Sequence, residues 1–293
     1  MEAGALLYTA APFGLFLATG VNALVAGNLL TDSPETSWRF VLLFGLLPAG
    51  AALVVRLFVK EPERWVAASR GQAPPRLAEL FNPVFWPRTR SALLMTFVAL
   101  LTWWSCNAFI PVVAATLGQV EAAAAGLDRA ASSALVESWK TIATTAFNLG
   151  GLIGTLLTVP IAKRHGRRPM FALYFAIAAA SLMATFGLPI PNEVRLYLYF
   201  FIGLSVFGVF GSFTYYLPEL YPTRLRATGS GFTYNIGRVV AAAGPFVVGA
   251  VSSAGAGDPA VILNALFAVA FVPLVGLLVI PWVVETRGQE LPP

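Results

Sequence analysis

The stretch Gly154–Leu188 reads GTLLTVPIAKRHGRRPMFALYFAIAAASLMATFGL. It contains the end of one apolar run, a turn carrying Lys163, Arg164, Arg167 and Arg168, and a second apolar run from Met170 to Leu188. A helix needs about 20 mainly apolar residues to cross roughly 30 Å of hydrocarbon at 1.5 Å per residue. Two such runs joined by a basic turn read as two membrane spans, with the cations of the turn held at one membrane face.

Working outward, eight segments have this character: Leu6–Leu30, Phe40–Val59, Ser91–Gly118, Trp139–Ile161, Met170–Leu188, Leu196–Leu217, Gly231–Val251 and Ala260–Val284. They are too long for buried strands and lack the period-2 alternation of an outer-membrane barrel. Composition agrees. Of 293 residues, 57% are hydrophobic and 11% charged, with a mean hydropathy of +0.74; an ordinary soluble domain carries about 25% charged residues. So few charges exclude a soluble enzyme, a disordered chain and a nucleic-acid binder. The expected fold class is an all-α polytopic membrane protein. One cysteine, Cys106, and one histidine, His165 in the basic turn, leave no disulfide framework and none of the usual metal sites. No cofactor or metal is expected. The first span is not expected to be a cleavable signal peptide, because Glu2 stands where a basic region belongs and the apolar run is too long.

Lysine and arginine are retained on the cytoplasmic side of short loops. With the N-terminus inside, fifteen of the nineteen basic residues fall on that side, and only Arg39, Arg129, Lys140 and Arg195 lie opposite. Both termini are therefore expected in the cytoplasm. The long basic-side loop Lys60–Arg90 mixes cations with Trp65, Leu77, Leu80, Phe81, Phe85 and Trp86. Two readings stand for it: a segment lying at the headgroup boundary, or a solvated linker. It separates two spans from six.

Four loop elements carry a resemblance. They are Lys60–Trp65 (KEPERW), the turn Gly154–Pro169 ending in Gly166-Arg167-Arg168, Pro218–Gly231 (PELYPTRLRATGSG) and Val284–Pro292 (VETRGQELP). In that order they resemble loop signatures of the major facilitator superfamily, in its sugar-porter-like and metabolite:proton symporter branches. The resemblance implies a helical bundle whose eight spans match family helices 5 to 12, the first four being absent from this sequence. Residues 1–59 are then the last two helices of the N-terminal half, 60–90 an interdomain linker, 91–284 the C-terminal six-helix half and 285–293 a cytoplasmic tail. One departure stands out: Lys163 occupies a position that is acidic in the family, and Val159 one that is glycine. That turn is expected to be held differently here.

Polar residues inside spans are costly and point to a pathway or an interhelix contact. Trp103, Trp104 and Asn107 lie midway along the third span and share a face. Asn148 lies mid-fourth span, and Tyr234, Asn235 and Arg238 form a stripe on the seventh. The resemblance places these on cavity-lining helices, as it does Asn22 on the first span. For the asparagines, interhelical glue is the competing reading. Arg238, expected about 10 Å from the cytoplasmic end, either snorkels to the interface or meets an anionic substrate. Tyr215 and Tyr216 close the sixth span and read as interface anchors. Glycines 150, 151, 154, 203, 208 and 211 read as close-packing positions. All 14 acidic residues fall in loops, termini or span boundaries.

At the cytoplasmic face Arg164, Arg167, Arg168, Arg224 and Arg226 accompany Glu219 and Glu285. Two readings stand for them: a gate of charge-assisted pairs that form and break as helices rock, or orientation determinants that contact lipid phosphates. The expected function is secondary transport of a small polar or anionic organic solute by alternating access, with membrane lipids as surroundings and no nucleic acid. Proton coupling and an inner-membrane location are implied by the resemblance. The rival is a transport-incompetent fragment or membrane partner protein; a channel is weaker, since no selectivity-filter pattern is present.

Overall fold

Among the described residues, seven helical segments in the computed structural model are long and apolar enough to cross a bilayer: Thr36–Phe58, Trp86–Ala124, Arg129–His165, Arg167–Gly187, Asn192–Glu219, Thr223–Ala254 and Pro259–Trp282. The structure describes residues 1–25, 29, 34–60, 63, 66, 74–255 and 258–289. The molecule is an all-α integral membrane protein, and the seven segments coincide with seven of the eight expected spans. The expected span Leu6–Leu30 is not among them. Its described residues form α1 (Glu2–Tyr8) and α2 (Ala10–Leu24), and its end falls outside the described residues.

The chain divides into two compact units, Ala10–Pro74 and Met1–Thr9 with Pro75–Pro293. The first contains α2, α3 (Pro34–Leu43) and α4 (Leu46–Phe58). No residue of α4 is buried. The second unit adds to α1 a 3-10 turn at Leu77–Phe81, α5 (Trp86–Asn107), α6 (Ile110–Ala124), α7 (Arg129–His165), α8 (Arg167–Gly187) and α9 (Asn192–Ile202). A π-turn at Gly203–Phe207 then leads into α10 (Phe210–Glu219), α11 (Thr223–Ala241), α12 (Ala243–Ala254), α13 (Pro259–Val269) and α14 (Phe271–Val279). Five of the seven segments are thus pairs of helices. Pro111, in the first turn of α6, explains one break, because proline lacks the N–H that would continue α5.

Several helices outrun their apolar cores. α7 begins ten residues before Trp139, where the Asp128 carboxylate accepts the Ala131 N–H at 2.8 Å and caps the first turn. α11 begins at Thr223 because the polar stretch before Gly231 is also helical. Arg238 stands at the middle of the 32-residue helical segment Thr223–Ala254, about 22 Å from its start at 1.5 Å per residue, the first turns of which are polar. The interface role expected for Tyr215 and Tyr216 is corrected, since both are buried. The Tyr216 hydroxyl lies 2.6 Å from Ser91 Oγ and donates to the Val284 carbonyl at 3.1 Å.

Around α7 the backbones approach closely. A Cβ on Gly150 would lie 2.0 Å from the Phe200 carbonyl oxygen, one on Gly154 2.0 Å from that of Leu204, and one on Gly203 1.9 Å from that of Phe147. α7 therefore packs directly on α9 and the π-turn through small residues. Arg195 is 5% exposed, and its guanidinium donates to the carbonyls of Thr185, Leu188 and Ile190. It satisfies carbonyls that the end of α8 leaves open.

In the linker, residues 61, 62, 64, 65 and 67–73 lie outside the described residues. Beyond them Leu80 is fully buried, while Leu77 and Phe81 are exposed. Thr89 Oγ1 donates to the Leu80 carbonyl at 2.8 Å, and Arg224 pairs with Glu79. This part of the linker is docked on the larger unit.

Candidate functional site

An open-sided cavity of about 410 Å³ lies between α1, α10 and α11. Its wall comprises Tyr8, Phe210, Phe213, Thr214 and Leu217, faced by Ser230, Gly231, Tyr234, Asn235 and Arg238. The last five share one side of α11, since residues three and four apart are helical neighbours. Rings dominate the wall. Tyr8 stacks on Phe210 at 6.2 Å and 10°, and Tyr234 meets Phe210 and Phe213 edge-on at 6.4 and 6.1 Å. The Arg238 guanidinium carbon lies 4.8 Å from the Tyr234 ring centre, a cation–π contact. Among the described residues, no carboxylate pairs with Arg238.

Three of the seven expected binding residues, Tyr234, Asn235 and Arg238, line this cavity. Trp103 stands behind it, 6.1 Å from Phe210 and 6.0 Å from Phe207, with Trp104 edge-on at 4.8 Å. Asn107 ends α5, Asn148 is buried in α7, and neither lines the cavity. The side chain of Asn22 lies outside the described residues. Tyr8, Phe210, Phe213 and Ser230 were not singled out in the sequence. Aromatic and serine residues are ordinary within apolar runs, and Tyr8 precedes its neighbours by some two hundred positions.

At the end of the bundle carrying the basic turn, Arg167 is 6% exposed and forms two bonds to Glu219, Nη2–Oε1 at 2.7 Å and Nε–Oε2 at 3.1 Å. Thr286 Oγ1 also donates to Glu219 at 2.7 Å. Glu285 accepts the backbone N–H groups of Arg167, Arg168 and Arg287 at 2.9–3.0 Å. Burial pushes its carboxyl up, but these N–H groups and the nearby Arg167 outweigh burial and hold it below its ordinary range. Gly166, with φ of 101°, leaves room for this carboxylate, since a Cβ there would lie 2.6 Å from Glu285 Oε2. Arg168 Nε donates to the Val283 carbonyl at 2.5 Å and Arg226 Nε to that of Pro218 at 3.0 Å. Arg224 turns away to Glu79, and Arg164 is exposed. Lys163 pairs with Glu2, so a lysine in the turn meets an acid on α1.

Arg238 thus stands among aromatic rings at the wall of a cavity in a polytopic helical bundle. A sequence profile of the Major Facilitator Superfamily matches residues 1–245 and 92–292, and the chain belongs to that family. It is similar to the probable 4-methylmuconolactone transporter of Cupriavidus pinatubonensis, with 29% identity over 94% of this chain and 60% of that protein. It is also similar to the inner membrane metabolite transport protein YhjE of Escherichia coli, with 29% identity over 96% of this chain and 62% of that protein. A third relative is the cis,cis-muconate transport protein of Acinetobacter baylyi, with 28% identity over 80% and 54%. These names are those of transporters, not enzymes. The chain spans 60–66% of the length of the first curated relatives it matches.

Proposed function

We propose that the chain provides the substrate-contacting half of a secondary transporter for small organic anions, with Arg238 as the carboxylate-binding cation. Arg238 carries this reading: it lies at mid-span, is exposed on α11, and leans on Tyr234 with no carboxylate opposite among the described residues. A cation inside an apolar run is costly in hydrocarbon unless it meets a counter-charge or water, and an anionic substrate supplies the counter-charge. The rings of Tyr8, Phe210, Phe213 and Tyr234 suit a flat, unsaturated body. The cargoes named for two relatives, 4-methylmuconolactone and cis,cis-muconate, support that chemistry.

Trp103 and Trp104 belong to the wall behind the rings, and Asn107 and Asn148 supply polar contacts along the same path. The Arg167–Glu219–Glu285 cluster, with Arg164, Arg168, Arg224 and Arg226 around it, stabilises a cytoplasm-closed state. The family resemblance supports alternating access and proton coupling. The basic-residue bias supports cytoplasmic termini in an inner membrane.

The test is ligand binding by the purified chain in detergent, followed by tryptophan fluorescence. Benzoate is expected to bind saturably and its neutral isostere benzamide not to; Arg238→Gln should weaken benzoate at least tenfold, about 1.4 kcal/mol. Equal binding of benzamide, or an unaffected Arg238→Gln, would overturn the assignment. In proteoliposomes, an inward proton gradient is expected to drive benzoate uptake above the passive entry of benzoic acid into protein-free liposomes; binding without such excess uptake would remove the coupling.

A further inference from the structure

We infer that Ser230 is a specificity-determining contact that selects organic acids carrying a second hydrogen-bonding group remote from the carboxylate; this rests on the role proposed for Arg238. Ser230 lines the cavity, yet its Oγ is shielded from solvent and meets no hydrogen-bond partner among the described residues. Hydroxyls in helices ordinarily bond back to the carbonyl three or four residues earlier. In the same span Thr233 does so to Gly229 at 2.8 Å and Ser252 to Val248 at 2.7 Å. Other polar side chains of the cavity are likewise engaged. Thr214 donates to the Gly211 carbonyl at 2.7 Å and Asn235 to that of Gly231 at 2.8 Å. Ser230 thus has an unpartnered hydroxyl behind the wall of a site that already has a cation, and rotation about χ1 turns that hydroxyl to a ligand.

The spacing gives the idle hydroxyl a use. Ser230, Tyr234 and Arg238 follow at intervals of four on α11, so they form one stripe about 12 Å long at the backbone. Long helical side chains lean toward the N-terminus, and the Arg238 guanidinium lies over the Tyr234 ring. The cation is thereby drawn toward Ser230, with the tyrosine ring between. A one-ring acid with its carboxylate on Arg238 lies along Tyr234 and directs its para position at Ser230. A hydroxyl there exchanges a hydrogen bond with Ser230 Oγ. An unsubstituted ring leaves that oxygen unpartnered, as it is in the free site, and forgoes the bond that the hydroxylated ring gains.

The experiment compares benzoate and 4-hydroxybenzoate by tryptophan fluorescence on the purified chain. The unaltered chain is expected to bind 4-hydroxybenzoate about 5- to 10-fold more tightly. Ser230→Ala should abolish this preference while leaving benzoate within about twofold, and Ser230→Thr, which keeps a hydroxyl, should retain it. No preference in the unaltered chain, a preference that survives Ser230→Ala, or one lost in Ser230→Thr would overturn the inference. Arg238→Gln separates the two claims. Undiminished binding of both acids there defeats the role of Arg238, whereas a failure confined to the Ser230 variants defeats the selectivity alone.

Discussion

Arg167 and Glu219 pair with side chains only 7% and 14% exposed, at the end of the bundle where Glu285 and Thr286 converge. Removing one partner of a buried pair leaves an uncompensated charge and costs about 3–5 kcal/mol. Glu219→Ala is therefore expected to lower the unfolding midpoint in detergent markedly. Arg224→Ala, whose pair with Glu79 is more exposed, should shift it far less; equal shifts would show that burial does not set the difference. Arg238 was legible in the sequence because a charge inside an apolar run stands out. Ser230 and Tyr8 were not, since what distinguishes them is a missing partner in one case and a distant neighbour in the other.

For helices, hydropathy locates the apolar centre and is blind to polar turns that continue the same helix. That is why α7 and α11 begin earlier than their apolar runs. The glycines were legible as packing positions, but which backbone each one meets was not. Gly154→Ala places a methyl against the Leu204 carbonyl and should cost about 1–3 kcal/mol of stability. Gly231→Ala meets nothing within 4 Å and should leave the thermal midpoint nearly unchanged. The tail gives a pH-dependent counterpart. Because the Glu285 carboxyl is held low, its contribution is fully present above the ordinary carboxylate range and lost as pH falls through the depressed folded value. Carboxypeptidase digestion of the tail should accelerate only in acid, and Glu285→Gln should flatten that dependence.

Across the whole molecule, charge bias and hydropathy made the membrane class and the basic face legible. The grouping of Met1–Thr9 with Pro75–Pro293 was not. It depends on contacts such as Glu2 with Lys163 and Tyr8 with Phe210, which no local pattern announces. Topology is open to a direct check because Cys106 is buried and adds little background. Cysteines introduced at Arg129 and Arg168 should react with an impermeant reagent from opposite sides of the membrane. Reaction from one side would refute the threading.

The π-turn at Gly203–Phe207 sets the azimuth of everything that follows it. Deleting one residue there, so that ordinary α-helical winding resumes, would rotate α10 by about 100°. Phe210 and Phe213 would swing off the cavity wall, and Glu219, at the far end of the same helix, would turn away from Arg167. The aromatic wall of the cavity and the ion pair at the end of the bundle are thus two hands on one dial, and neither can be reset without moving the other.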